Sequence, residues 1–139
     1  MSDVVVDCSA TLPWVFADES TAATTALQDE IARGRKVWVP SLWHLEIANV
    51  LLGTKKRGRI DEAGIRKFFS TLQLYDIEVD METPSVAWSQ TLALAEQYGL
   101  TAYDAAYLEL ALRKGLPLAS LDGDLRGAAL KAGIDLALN

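Results

Sequence analysis

Residues 100–125 read LTAYDAAYLELALRKGLPLASLDGDL, and this stretch decides the fold. Thr101 suits a helix opening, and the apolar-rich run that follows extends to Lys114 before Gly115 ends it. Leu116–Ser120 is a short apolar strand, and Asp122 starts another helix that reaches about Ala132 and is closed by Gly133. A strand entered from one helix and left into another has no hairpin partner. It belongs in a parallel sheet with helices over its faces.

The same alternation extends towards the N-terminus. Val4-Val5-Val6 is a β-branched buried strand, and a short helical piece interrupted by Pro13 runs from about Ser9 to Phe16. A helix from Ser20 to Arg33 ends at Gly34, and Val37-Trp38-Val39 is a second strand stopped by Pro40. Ser41–Thr54 is a strongly apolar helix with Ser41 as its expected N-cap. Asp61 caps a helix to Leu74, Ile77–Val79 is a strand, and Thr83-Pro84 opens a helix to about Tyr98 as cap and first residue. Ile134–Leu136 is a last strand. The expected architecture is α/β: one three-layer α/β/α domain over residues 1–139 with a short-stranded, mostly parallel central sheet.

Composition narrows the function classes. Half of the 139 residues are hydrophobic, which describes a folded chain with a core. No apolar run reaches the roughly 18 residues of a membrane span, and MSDVVVD has no basic-then-apolar leader. One Cys and one His exclude a protein zinc cluster and an internal disulfide, so a cytoplasmic setting is expected. A net charge of −6 excludes coating of nucleic acid by bulk attraction but permits local action on it.

Four acids then stand out: Asp7, Glu46, Asp104 and Asp122, each inside apolar sequence (VVVDCSA, PSLWHLEIANVL, LTAYDAAYLELAL, LPLASLDGDL). Carboxylates so placed are costly unless a cation neutralises them. Asp7 and Asp122 follow strands, at the carboxyl edge where ligands bind in parallel sheets. Simpler roles exist: Asp122 as an N-cap, Asp104 in a capping box with Thr101, and Asp7 bonding turn amides. Glu46 resists that explanation, because it lies in the second turn of the expected helix and shares a polar stripe with Asn49. Oxygen donors without Cys or His select Mg²⁺ or Mn²⁺, and such ions serve phosphate chemistry.

The four segments, in their order and spacing, resemble the PIN domain, and most closely the VapC toxins of VapBC toxin–antitoxin pairs, over nearly the whole chain. The resemblance implies an Mg²⁺- or Mn²⁺-dependent endoribonuclease whose water-attack products carry a 5′-phosphate and a 3′-hydroxyl. It also implies a site of Asp7, Glu46, Asp104 and Asp122, supported by Ser9, Asn49 and Ser120, with Asp124 as a spare carboxylate. The implied partners are an RNA substrate, a second copy in a homodimer and a VapB-like antitoxin. Apolar residues such as Trp14, Phe16, Trp43, Leu51 and Phe68 are candidates for the protein contacts.

Other residues carry weaker signals. Lys55, Lys56, Arg57 and Arg59 are either RNA-backbone contacts or a solvated helix end that complements the dipole. His44 points about 200° away from Glu46 and is read as structural or as an interface residue rather than a general base. Thr11, Tyr103 and Tyr107 receive no role. Two rival readings stand beside the nuclease. Asp7-Cys8-Ser9-Ala10-Thr11 half-matches the DxDxT loop of HAD-like phosphatases, with Ser9 where the second Asp belongs. The other rival is a non-catalytic α/β module that binds Mg²⁺.

Overall fold

The computed structural model describes residues 1–139. The valine run forms β1 (Val4–Val6), with all three side chains sealed from solvent. Sealing on both faces is what a continuous β-branched run is suited to. A short α1 (Cys8–Thr11) and two 3₁₀ turns lead to α2 (Ala22–Ala32), then β2 (Val37–Pro40) and α3 (Trp43–Lys56). After these come α4 (Glu62–Leu72), β3 (Ile77–Asp80), α5 (Thr83–Val86), a π turn (Ala87–Thr91) and α6 (Leu92–Tyr98). The chain finishes with α7 (Ala102–Lys114), β4 (Leu118–Ala119) and α8 (Gly123–Lys131).

The strand order is β3-β2-β1-β4 and every pairing is parallel, with Val4 opposite Val37 and Val6 opposite Ala119. The expected α/β/α layers are therefore present, and the sheet is wholly parallel. The chain lays β2 and β3 outward on one side of β1. It then returns through α5, α6 and α7 to place β4 on the other side. The order reverses between β1 and β4, and the crevice at their carboxyl ends is where such a sheet accepts ligands. α7 is the central helix: Ala105–Ala111 are all buried, and Gly115 (φ 64°) supplies the left-handed residue that ends it.

Several sequence expectations need correction. Ser41 is not the cap of α3. Leu42 precedes the helix in helical rather than extended backbone (φ −82°, ψ −14°), a geometry that offers no side-chain cap. Glu46 consequently lies in the first turn, although its carboxylate caps nothing. Thr83 sits inside α5 because its hydroxyl donates to Asp80 Oδ2 at 2.8 Å. The helix to Tyr98 is interrupted by the π turn. The strand at Leu116–Ser120 contracts to two residues, and Ile134–Leu136 contributes one bridge, Leu118 to Leu136, held by Leu118 N–Asp135 O and Ala137 N–Leu118 O. Phe16, Trp43, Leu51 and Phe68 are buried, so they form core rather than a partner surface. The exposed apolar side chains are others, among them Leu45, Leu52, Trp88 and Leu92.

Candidate active site

The ends of β1 and β4 are tied together by two hydroxyls. Asp7 caps α1, its Oδ1 accepting from Ala10 N (2.9 Å) and Ser9 Oγ (2.7 Å). Its Oδ2 accepts from Ser120 Oγ at 2.5 Å. Each serine also accepts an amide from beyond β4: Leu121 N to Ser9 Oγ (2.8 Å) and Asp122 N to Ser120 Oγ (3.0 Å). Asp7 is thereby held at 4% exposure by neutral donors alone. The Asp7 carbonyl accepts from Thr11 Oγ1, which in turn accepts from Trp43 Nε1 on α3.

The other acids reach the same hollow from separate elements. Asp122 caps α8, its Oδ2 accepting from Leu125 N at 2.9 Å. Asp104 stands in the first turn of α7, where Thr101 Oγ1 caps its amide. Glu46 comes across from α3, and Tyr107 Oη donates to its Oε1 at 2.5 Å. All four carboxylate residues line one pocket of about 260 Å³, together with Cys8, Ser9, Leu12, Val50 and Tyr107.

No lysine or arginine lines this pocket, and none of the ion pairs in the fold involves its four acids. The electrostatic result is visible in proton affinity. Burial raises the Asp7 pKa against the lowering effect of its hydrogen bonds, and Asp122 raises it further. Burial likewise raises Glu46, opposed by Tyr107 and reinforced by Asp104 and Asp7. Asp104 is raised by burial, then by Asp122, Asp7 and Asp124. Burial and the nearby Glu46 and Asp7 push the Cys8 thiol up to about 12, so it is neither a thiolate ligand nor a nucleophile at neutral pH.

The donor set fits a hard divalent cation. Four carboxylates offer only oxygen, and a positive ion would offset the burial, and after it the mutual repulsion, that raise three of them. In this conformation no three of the Asp, Glu, His and Cys side chains stand close enough together to hold a metal ion. An open set is what Mg²⁺ accepts, since it keeps several waters and uses few protein ligands.

The remaining sequence candidates fall outside the pocket. Asn49 is exposed and does not line it. Asp124 is exposed and acts only through its charge on Asp104. Lys55 pairs with Glu62, and Arg59 pairs with Asp18 and Glu19, whereas Lys56 and Arg57 make no ion pair. His44 packs edge-on against Trp43 and lines a different hollow with Phe69 and Leu72. Tyr107 is the site residue that the sequence reading left unplaced. The available signal was its position three residues after Asp104, which puts both on one face of α7.

The PIN-domain family model matches residues 4–131. The chain belongs to the PIN-domain family. The family is one of nucleases, so this PIN domain sits in a nuclease lineage. No protein of curated function matches its sequence. Among solved structures, PAE2754 from Pyrobaculum aerophilum is similar at TM-score 0.69 and 23% identity, covering 91% of this chain and 84% of that one. FitAcB from Neisseria gonorrhoeae is similar at TM-score 0.61 and 17% identity, covering 98% and 96%. A toxin–antitoxin complex from Klebsiella pneumoniae gives TM-score 0.58 and 17% identity, covering 90% and 92%. At these identities the likeness concerns the fold. No helix of this PIN domain is long and apolar enough to cross a membrane.

Proposed function

We propose that this PIN domain is an endoribonuclease dependent on Mg²⁺ or Mn²⁺, and the toxin of a toxin–antitoxin pair. The observation that carries the reading is the meeting of Asp7, Glu46, Asp104 and Asp122 in one pocket that contains no cationic side chain. A bare pocket of this kind repels the phosphates of RNA, so substrate binding there requires a bound cation. The four acids would hold one or two such ions. When bound, the ion supplies Lewis acidity, which activates water and offsets charge on the reacting phosphate.

The side chains account for the rest. Asp7 cannot swing, because Ser9, Ser120 and the Ala10 amide bind both of its oxygens. Ser9 is committed to Asp7 and to the Leu121 amide, and Cys8 keeps its proton, so neither provides a covalent route. On this reading the attacking group is water, and the alternative of attack by the RNA 2′-hydroxyl is separated by the product ends. The same facts disfavour the phosphatase reading: where a general acid would be needed, Ser9 stands with its hydroxyl already used. Within the basic cluster at the far end of the helix that starts near Glu46, Lys56 and Arg57 make no ion pair and are free to meet an RNA backbone.

The toxin role is supported by similar folds, a toxin–antitoxin complex from Klebsiella pneumoniae and FitAB bound to a DNA fragment. A small antitoxin and a second copy of the chain are the proposed protein partners, in a cytoplasmic setting. The test is digestion of total bacterial RNA with Mg²⁺ or Mn²⁺, followed by 5′-end mapping, with D7N and EDTA controls. Discrete 5′-phosphate ends absent from both controls are expected. Folded protein that binds metal and produces no ends would leave the non-catalytic module. Ends bearing 2′,3′-cyclic phosphate partners would refute attack by water.

A further inference from the structure

Glu46 has one side-chain hydrogen bond in the whole fold, and the donor is Tyr107. The two residues are 61 positions apart, on α3 and α7, the helices that bring Glu46 and Asp104 to the pocket. Tyr107 is 1% exposed and lines the pocket with both acids. A buried phenol hydroxyl requires a partner, and Glu46 satisfies it. Conversely, a half-buried glutamate is a long, freely rotating side chain whose ordering costs entropy. Nothing else restrains it: no cation pairs with it and no backbone amide caps it. The bond takes Oε1 and leaves Oε2 without a partner.

We propose that Tyr107 is the positioning residue of this site, holding Glu46 by Oε1 so that Oε2 is presented to a divalent cation alongside Asp104. The role rests on the carboxylate-site reading above and adds to it a residue that acts without touching metal or RNA. Outer partners of metal ligands typically set affinity or activity by about 10–100-fold.

The test is a double-mutant cycle of Y107F and E46Q, read by Mn²⁺ binding in the absence of RNA and by kcat and KM on a cleaved RNA. Y107F is expected to weaken Mn²⁺ binding about tenfold and to lower kcat with little change in KM. In the E46Q background the same substitution is expected to change neither quantity, because its target is already altered. Wild-type Mn²⁺ affinity in Y107F, or an equal loss in both backgrounds, would overturn the role. If E46Q itself bound Mn²⁺ like the wild type, the carboxylate-site reading would fail, and the Tyr107 role with it. The contact is also readable with Tyr107 intact: its hydroxyl proton should resonate downfield in the NMR spectrum and move upfield in E46Q. The same shift in both proteins would refute the pairing, whatever the folding of Y107F.

Discussion

Replacing Ser120 by alanine removes one oxygen atom from the junction of β1 and β4, and the structure gives the expected cost. The hydroxyl is fully buried, donates to Asp7 Oδ2 at 2.5 Å and accepts from the Asp122 amide at 3.0 Å. A hydrogen bond to an ionised group contributes about 1.5–3 kcal/mol, and a neutral one about 0.5–1.5. Water reaches the part-buried Asp122 amide more readily than Asp7, so the expected destabilisation is about 2–4 kcal/mol. The assay is urea denaturation in EDTA, comparing S120A with wild type across pH. The larger share of the cost belongs to ionised Asp7, whose folded pKa is raised by burial. The gap between the proteins should therefore be widest near neutral pH and narrow as Asp7 takes up a proton, beginning above the ordinary carboxylate range. A gap below about 1 kcal/mol, or one independent of pH, would show that Ser120 does not hold an ionised Asp7.

Other outcomes follow from the same geometry. Asp7, Glu46 and Asp104 have folded pKa values above their unfolded ones, so the stability tied to their protonation is complete below about pH 4 and is lost as pH rises through the folded values. Metal-free D7N should show a flatter profile of Tm against pH than wild type, and parallel profiles would contradict the raised pKa of Asp7. Arg113 binds Asp80 and Glu109, both buried, so R113A should cost about 3–5 kcal/mol in urea denaturation, and R113K should not restore the two-pronged contact. Asp80 has the opposite sign: Arg113 and Thr83 hold its pKa down against burial, so its stabilisation is present above about pH 4 and lost as pH falls through the lower folded value. Under the proposed ribonuclease function, N49A should cleave RNA like the wild type, because Asn49 is exposed outside the pocket; a large loss of kcat would place it in the site after all.

Much of the fold was legible because its signals are local. Asp61, Thr101 and Asp122 cap helices as read, each accepting an amide three residues on, and Gly115 ends α7 through its positive φ. Where local preference met a tertiary demand, the local reading failed. Thr83 looked like a cap before Pro84, yet Asp80 claims its hydroxyl. Trp43 and Phe68 looked like candidates for a partner surface, yet they pack into the core. Asn49 sits one turn from Glu46, which suggested a shared cleft, but the helix presents it to solvent.

The sequence by itself determined the alternation of elements and the type of chemistry available. Apolar periodicity, capping residues and glycines act within a few positions, and four acids in apolar settings advertise a need for positive charge. Only the tertiary structure decided that β4 lies against β1. That placement lets Ser120 bond Asp7 across 113 positions and Tyr107 hold Glu46 across 61. Such contacts depend on how strands are ordered and how helices cross, which is a property of the packed chain and has no counterpart in any short stretch of it.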